Sequence, residues 1–202
     1  MSLILASASP RRQQMLRDLA VTFLTVSPDI VEKRLRGEPA SKYVQRLAQE
    51  KARRVYEELE NSLKGRTVVL AADTTVALGA QILEKPKDAS DALRILKKLS
   101  GCTHEVLTGF CIQGSANGRF SNTVQCVRTK VTFADMPIDF WKWYASTPEP
   151  LDKAGAYAAQ GIGLSFIEKV SGSYSNVIGL PLSHVLKAFH KSFGVSFCEY
   201  YR

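Results

Sequence analysis

Two hydrophobic rhythms run along the chain, and together they predict an α/β protein. Leu3-Ile4-Leu5-Ala6 is an apolar run that reads as a buried strand. Ser9 and Pro10 then mark a helix start, with serine as N-cap and proline at the first helical position. Met15, Leu16 and Leu19 continue that helix at helical spacing. Val21–Val26 predicts a second strand, ended by Ser27-Pro28-Asp29. Pro39 to Leu63 predicts one long amphipathic helix with Val44, Leu47, Ala48, Ala52, Val55 and Leu59 as its apolar stripe, closed by Gly65. Val68-Val69-Leu70-Ala71-Ala72 has the continuous apolarity of a central strand buried on both faces, and it ends in Asp73-Thr74-Thr75. Val76 to Leu83 predicts a hairpin turning near Gly79-Ala80, and Asp88 starts a helix through Ala92, Leu93, Leu96 and Leu99 that stops at Gly101. Residues 103–134, rich in threonine and valine with a turn between Gly114 and Gly118, predict a β-hairpin that extends the sheet. A short aromatic helix from Pro137 to Tyr144 holds Trp141 and Trp143, better suited to packing or subunit contacts than to base stacking. Leu182 to Phe193 predicts the last helix, and the residues beyond it read as peripheral.

Composition narrows the class. A chain of 202 residues, 45% hydrophobic and 23% charged, suits one globular domain, or one domain with two lobes. No apolar run approaches a membrane span, and the first strand is too short, and lacks the preceding basic residues, for a signal peptide. Cys102, Cys111, Cys126 and Cys198 form no C-x-x-C pair, which points to reduced thiols in a cytosolic protein rather than a disulfide frame or zinc site. The net charge of +8 implies acidic partners. The basic groups are dispersed, with Arg34 and Arg36, Lys51, Arg53 and Arg54, and Lys97 and Lys98 on different elements, so a block-charged nucleic-acid tail is disfavoured.

Five places carry candidate chemistry. Ser7, Ser9, Arg11 and Arg12 gather where a strand turns into a helix. Cations there face the positive end of the helix dipole at roughly a few tenths of a kcal/mol each, so either they are two solvated arginines or they serve an anion such as phosphate. Lys51 lies beside the apolar stripe of its helix, where it either snorkels to water or reaches a phosphate. Asp73, at the end of a buried strand, is placed to hold a divalent cation, to take a proton from water, or to close an Asx-turn. Pro86 extends Lys85 and projects its ammonium outward. The run Asp152 to Gly161, small residues around Lys153, Tyr157 and Gln160, suits a loop that a ligand approaches closely, with Gln160 able to read a base edge. Glu32 is a lone glutamate in a charged loop, and His104, His184 and His190 read as incidental. There is no P-loop, no complete dinucleotide fingerprint, no H-E-x-x-H and no G-x-S-x-G.

Taken in order, Ser7-Ala8-Ser9-Pro10-Arg11-Arg12, Glu50-Lys51-Ala52, Ala72-Asp73-Thr74-Thr75-Val76, Glu84-Lys85-Pro86, Asp152 to Tyr157 with Gln160-Gly161, and Gly172-Ser173-Tyr174 with Asn176-Val177 and Gly179-Leu180-Pro181 resemble the Maf family of nucleotide pyrophosphatases from residue 3 to about 190. The resemblance implies one Maf-like domain over residues 1–202. Its expected fold is a mixed twisted α/β sheet with flanking helices and two lobes around a cleft, similar to the inosine-triphosphate pyrophosphatases. It implies hydrolysis of a nucleoside triphosphate to monophosphate and pyrophosphate with Mg²⁺ or Mn²⁺, in the cytoplasm, by a homodimer. Asp73 matches the family's general base, while Ser7, Arg11, Arg12, Glu32, Lys51 and Lys85 match its polar cleft residues. Arg11, Thr74 and Gln160 match positions tied to substrate choice, and Glu32 or Asp73 would hold the metal. The Asp73-Thr74-Thr75-Val76 version with Gln160 is similar to the branch acting on dTTP and UTP, whereas a sister branch preferring 7-methyl-GTP usually has Ser-Asp-Gln there. Glu84 stands where many relatives have glycine. The alternatives are a regulatory protein binding nucleic acid or division proteins, and a pyrophosphatase for 7-methyl-GTP or non-standard purine nucleotides.

Overall fold

The computed structural model describes residues 2–194; Cys198 and the residues beyond Gly194, expected to be peripheral, lie outside the described residues. In chain order the elements are β1 (Ser2–Ala6), α1 (Pro10–Asp18), β2 (Leu24–Val26), α2 (Ala40–Glu57), α3 (Asn61–Lys64), β3 (Thr67–Leu78) and β4 (Gln81–Leu83). Then come α4 (Ala89–Leu99), β5 (Thr103–Ala116), β6 (Arg119–Phe133), α5 (Ile138–Ser146), β7 (Ile167–Ser171), α6 (Tyr174–Ile178) and α7 (Leu182–Phe193). The seven strands form one mixed sheet in the order β2-β1-β3-β5-β6-β7, with β4 paired to β3. β1 runs parallel to β2 and β3, while β4 on β3 and β7 on β6 are antiparallel. This is the expected α/β architecture, a mixed open sheet with flanking helices. The chain divides into two compact units, and β3, β5 and β6 contribute residues to both.

The first unit comprises the chain up to Asp73, residues 108–127, and the chain from Gly179. Its core joins Ile4, Ala6, Val69, Ala71 and Cys111 to Ala48, Ala52 and Val55 of α2. The sheet face is supplied by alternate residues of each strand and the helix face by residues three or four apart. Helix and sheet meet closely because β5 carries Gly109, where an added Cβ would lie 2.2 Å from the Val44 carbonyl oxygen.

Three expectations in this unit need correction. β2 is shorter than Val21–Val26, because its pairing starts at Ile4 of β1 and ends with that strand at Ala6. The helix expected from Pro39 to Leu63 is two helices. α2 stops at Glu57, and Glu60 starts α3, since the acidic Glu57, Glu58 and Glu60 oppose the dipole at a helix C-terminus. Ser9 occupies the cap position of α1 with extended backbone, but its hydroxyl makes no capping bond. Its own amide instead donates to Ser7 Oγ at 3.2 Å.

The second unit comprises Thr74–Leu107 and Arg128–Ile178. Val76 pairs with Leu83 and Leu78 with Gln81, so the hairpin turns at Gly79-Ala80 as expected. Asp88 caps α4 by accepting from the Asp91 amide at 2.8 Å. Phe133, Trp141, Tyr144, Tyr157 and Phe166 form an aromatic core with edge-to-face contacts. Trp141 is buried and donates to Ser100 Oγ at 2.9 Å, whereas Trp143 is exposed. His104 is not incidental: it is buried against Phe133 and bonded to the Tyr157 hydroxyl at 2.9 Å. Burial pushes its pKa down to about 4. β7 and α6 had no clear sequence signal, because Ile167–Ser171 carries Glu168 and Lys169 and becomes a strand only by pairing with β6. Among the described residues no helix is long and apolar enough to cross a membrane, and Cys102, Cys111 and Cys126 form no disulfide.

Candidate active site

β3 does not end at Asp73. The strand runs on to Leu78, so the carboxylate is interior to it, on the face that Val69 and Ala71 present to α2. A buried carboxylate needs a partner, and α2 supplies one. Lys51 sits on the buried face of that helix in register with Val44, Leu47, Ala48 and Val55. It does not snorkel: its Nζ donates to Asp73 Oδ1 at 2.7 Å and pairs with Glu32 Oε1 at the same distance. The side chains of Lys51 and Asp73 are 7% and 10% exposed, that of Glu32 48%, so the pair is dry on the sheet side and wet on the Glu32 side.

Glu32 lies in an irregular segment without helix or strand. Arg46, five residues before Lys51 on α2, clamps that segment. It donates to the Lys33 carbonyl at 3.0 Å and forms a two-bond fork with Glu38, 2.7 and 2.8 Å, while also reaching Glu50. The Arg46 bond holds Glu38 below the usual carboxylate range, and Glu38 raises Arg46.

The strand-to-helix turn brings a second cation to the same place. Arg12 is buried; its Nε donates to the Gly179 carbonyl at 2.8 Å and its Nη1 to Ser7 Oγ at 3.2 Å. Burial lowers its pKa; the charges of Asp73 and Glu32 oppose that shift and Arg11 adds to it. Arginine nonetheless keeps its charge in proteins. Ser7, Arg12, Glu32, Lys51 and Asp73, scattered over the first third of the sequence, therefore form one cluster in the first unit. Arg11 is half-buried beside it. Gly179, whose carbonyl fixes Arg12, was not foreseen as a contributor; its place in the final glycine-containing motif is the signal that marks it.

Thr74 follows Asp73 on β3 and opens the second unit. Within that unit the remaining motifs converge. The Gly155 amide donates to the Glu84 carbonyl at 3.3 Å, next to Lys85. Gly155, at φ +73°, approaches Val76 so closely that a Cβ would lie 2.9 Å from its side chain. Lys85 and Gln160 are both exposed. Lys153 is engaged locally, by the Glu149 carbonyl and the Asp152 carboxylate.

The sequence model of the Maf family, described as "Maf-like protein", matches residues 2–192. A protein of Anaeromyxobacter dehalogenans named dTTP/UTP pyrophosphatase is 50% identical over 184 residues, covering 90% of this chain and 89% of its own. Proteins of the same name from Myxococcus xanthus and Escherichia coli K12 are 47% and 46% identical. They cover 94% and 90% of this chain, and 92% and 88% of their own lengths.

Proposed function

Because the chain belongs to the Maf family, we propose that it is a nucleoside triphosphate pyrophosphatase, converting dTTP and UTP to the monophosphate and pyrophosphate. The observation that carries this reading is the Lys51 ammonium shared by Asp73 and Glu32 beside the buried Arg12. Carboxylates, the groups suited to taking a proton from water or holding a cation, stand next to guanidinium and hydroxyl groups, which are suited to phosphate, in a chain 50% identical over 184 residues to a protein named for this activity.

Each residue then has a task. Arg11, Arg12 and Ser7, at the start of α1, bind phosphate oxygens by charge-assisted hydrogen bonds. Asp73 accepts a proton from the attacking water, whose oxygen bonds to the α-phosphorus while the bond from that phosphorus to the α,β-bridging oxygen breaks. Pyrophosphate leaves with the bridging oxygen, its charge balanced by Lys51 and Lys85. Lys51 fixes the Asp73 carboxylate on β3, and Glu32 orients the ammonium from the solvent side. Thr74 and Gln160 select the pyrimidine base.

The donor set also fits a divalent cation. Asp73 Oδ1 and Glu32 Oε1 converge on one ammonium, so two carboxylates already gather around a single positive charge. Mg²⁺ commonly takes one or two carboxylates and completes its shell with substrate phosphates and water. Asp73 and Glu32 would hold Mg²⁺ or Mn²⁺, which supplies charge neutralisation and polarisation of the phosphoryl oxygens. A cytoplasmic location and a homodimer complete the reading.

The test is a panel of dTTP, UTP, CTP, 7-methyl-GTP, dITP and the standard purine triphosphates with Mg²⁺ or Mn²⁺, reading pyrophosphate against single phosphate, with Asp73→Asn alongside. Pyrophosphate released chiefly from dTTP and UTP, and lost in the variant, is the expected result. A folded sample without turnover on the panel, or an Asp73→Asn protein with near-normal activity, overturns it.

A further inference from the structure

Gln160 lies in a segment with little reason of its own to hold a shape: Ala158, Ala159, Gly161 and Gly163 offer small side chains or none. The segment is nonetheless tied at several points, and most ties lead to one residue. Glu149, in the turn after α5, accepts from the Ile162 amide through Oε2 at 3.1 Å and from the Gly163 amide through Oε1 at 3.0 Å. Its Oε1 also accepts from the Tyr144 hydroxyl at 2.9 Å, and that hydroxyl in turn accepts from the Ala158 amide at 3.3 Å. On the far side the Tyr174 hydroxyl donates to the Ala159 carbonyl at 2.5 Å. Both flanks of Gln160 are pinned, and Gln160 itself is exposed between them.

The fit leaves no slack. Gly161 has φ +65°, and a Cβ there would lie 2.6 Å from Glu149 Oε2, so the carboxylate sits directly under the residue that follows Gln160. The Glu149 backbone is held as well, its carbonyl accepting from Lys153 Nζ at 2.5 Å. Three donors, the Tyr144 hydroxyl and the Ile162 and Gly163 amides, converge on two carboxylate oxygens. An amide side chain has one acceptor oxygen and cannot serve them with the same geometry.

We propose that Glu149 is a positioning residue for base selection: it and Tyr144 hold the segment Ala158–Gly163 in the one shape that presents Gln160 to the pyrimidine. This rests on the reading of Gln160 as a base-selecting residue. A group that orients the selector acts on substrate binding and discrimination, and leaves the chemistry at the α-phosphorus to Asp73 and the phosphate-binding cations.

The test compares Glu149→Gln, Tyr144→Phe and Gln160→Ala with the parent protein, measuring kcat and KM for dTTP, UTP, CTP and dITP. Far-UV circular dichroism checks the fold. Glu149→Gln is expected to raise KM for dTTP roughly tenfold, as for loss of a hydrogen bond to a charged group, with kcat within about twofold. It should narrow the preference for dTTP and UTP over CTP and dITP in the same direction as Gln160→Ala. Tyr144→Phe, which removes one hydroxyl and keeps the ring, should move selectivity the same way by less, and it serves as the variant of record where Glu149→Gln does not fold. If Gln160→Ala changes selectivity and neither other variant does, the role of Glu149 is overturned while base reading by Gln160 stands. If Gln160→Ala leaves selectivity unchanged, the premise fails and the proposal falls with it.

Discussion

Lys51→Met should destabilise the protein strongly, and adding Asp73→Asn to it should restore part of the loss. At an effective dielectric of about 20, two unit charges at the 2.7 Å Lys51–Asp73 separation attract by roughly 6 kcal/mol. Desolvation consumes much of that attraction, and removing one partner of a buried pair costs about 3–5 kcal/mol, because the remaining charge is left uncompensated. Asp73 is only 10% exposed, so its carboxylate cannot rehydrate, although the charge of the buried Arg12 acts on it favourably. We therefore expect the low end, about 3 kcal/mol, or a fall in Tm of roughly 6–12 °C for a chain of this length. Asp73→Asn alone should cost less, about 1–2 kcal/mol, since Lys51 keeps Glu32 at 2.7 Å. In the double variant the buried carboxylate is gone and the half-exposed Glu32 turns to water. Lys51→Met/Asp73→Asn should thus be more stable than Lys51→Met. Urea unfolding followed by far-UV circular dichroism is the assay, because Trp141 and Trp143 both lie in the other unit and tryptophan fluorescence would report on that one. If Asp73→Asn lowers the stability of Lys51→Met further, the pair is not the stabilising contact described here.

Two further predictions concern the scaffold. His104 stays neutral in the folded state down to about pH 4, against an ordinary value of 6.5, so between those values the unfolded chain binds the extra proton. Stability should fall with the pH across that window, by roughly 3 kcal/mol in all, and His104→Gln should show a flatter profile. Equal pH dependence of the two urea midpoints would refute the assignment. Gly109→Ala would place a methyl 2.2 Å from the Val44 carbonyl oxygen, a backbone atom that cannot rotate away. We expect about 3 kcal/mol of destabilisation and a lower kcat/KM, because α2 must shift and it carries Lys51. A variant of parental stability and activity would show that helix and sheet have room to spare.

The amino-acid sequence by itself determined the elements that depend on near neighbours. The hairpin turn at Gly79-Ala80, the Asp88 cap and the helix from Leu182 to Phe193 appear as expected, because turn geometry, capping and helical periodicity are properties of a few adjacent residues. The ordered motifs were legible through their resemblance to the Maf family, and that resemblance singled out Ser7, Arg12, Lys51 and Asp73, which the fold gathers into one cluster. Where local signals were weak or opposed, the outcome depended on pairing: β7 exists through β6, and the stretch after Glu57 broke at its acidic residues. Only the tertiary structure decided who meets whom. Lys51 reads equally well as a snorkelling lysine or a phosphate ligand until α2 lies on β3 and sets its ammonium between Asp73 and Glu32. Arg12 finds its carbonyl at Gly179, 167 residues away. His104 carried no signal of its burial, and Glu149 sits in a proline-flanked turn that resembles any solvated glutamate. A residue's chemistry is written in the sequence, but the dielectric and the partner that direct it are supplied by segments distant along the chain.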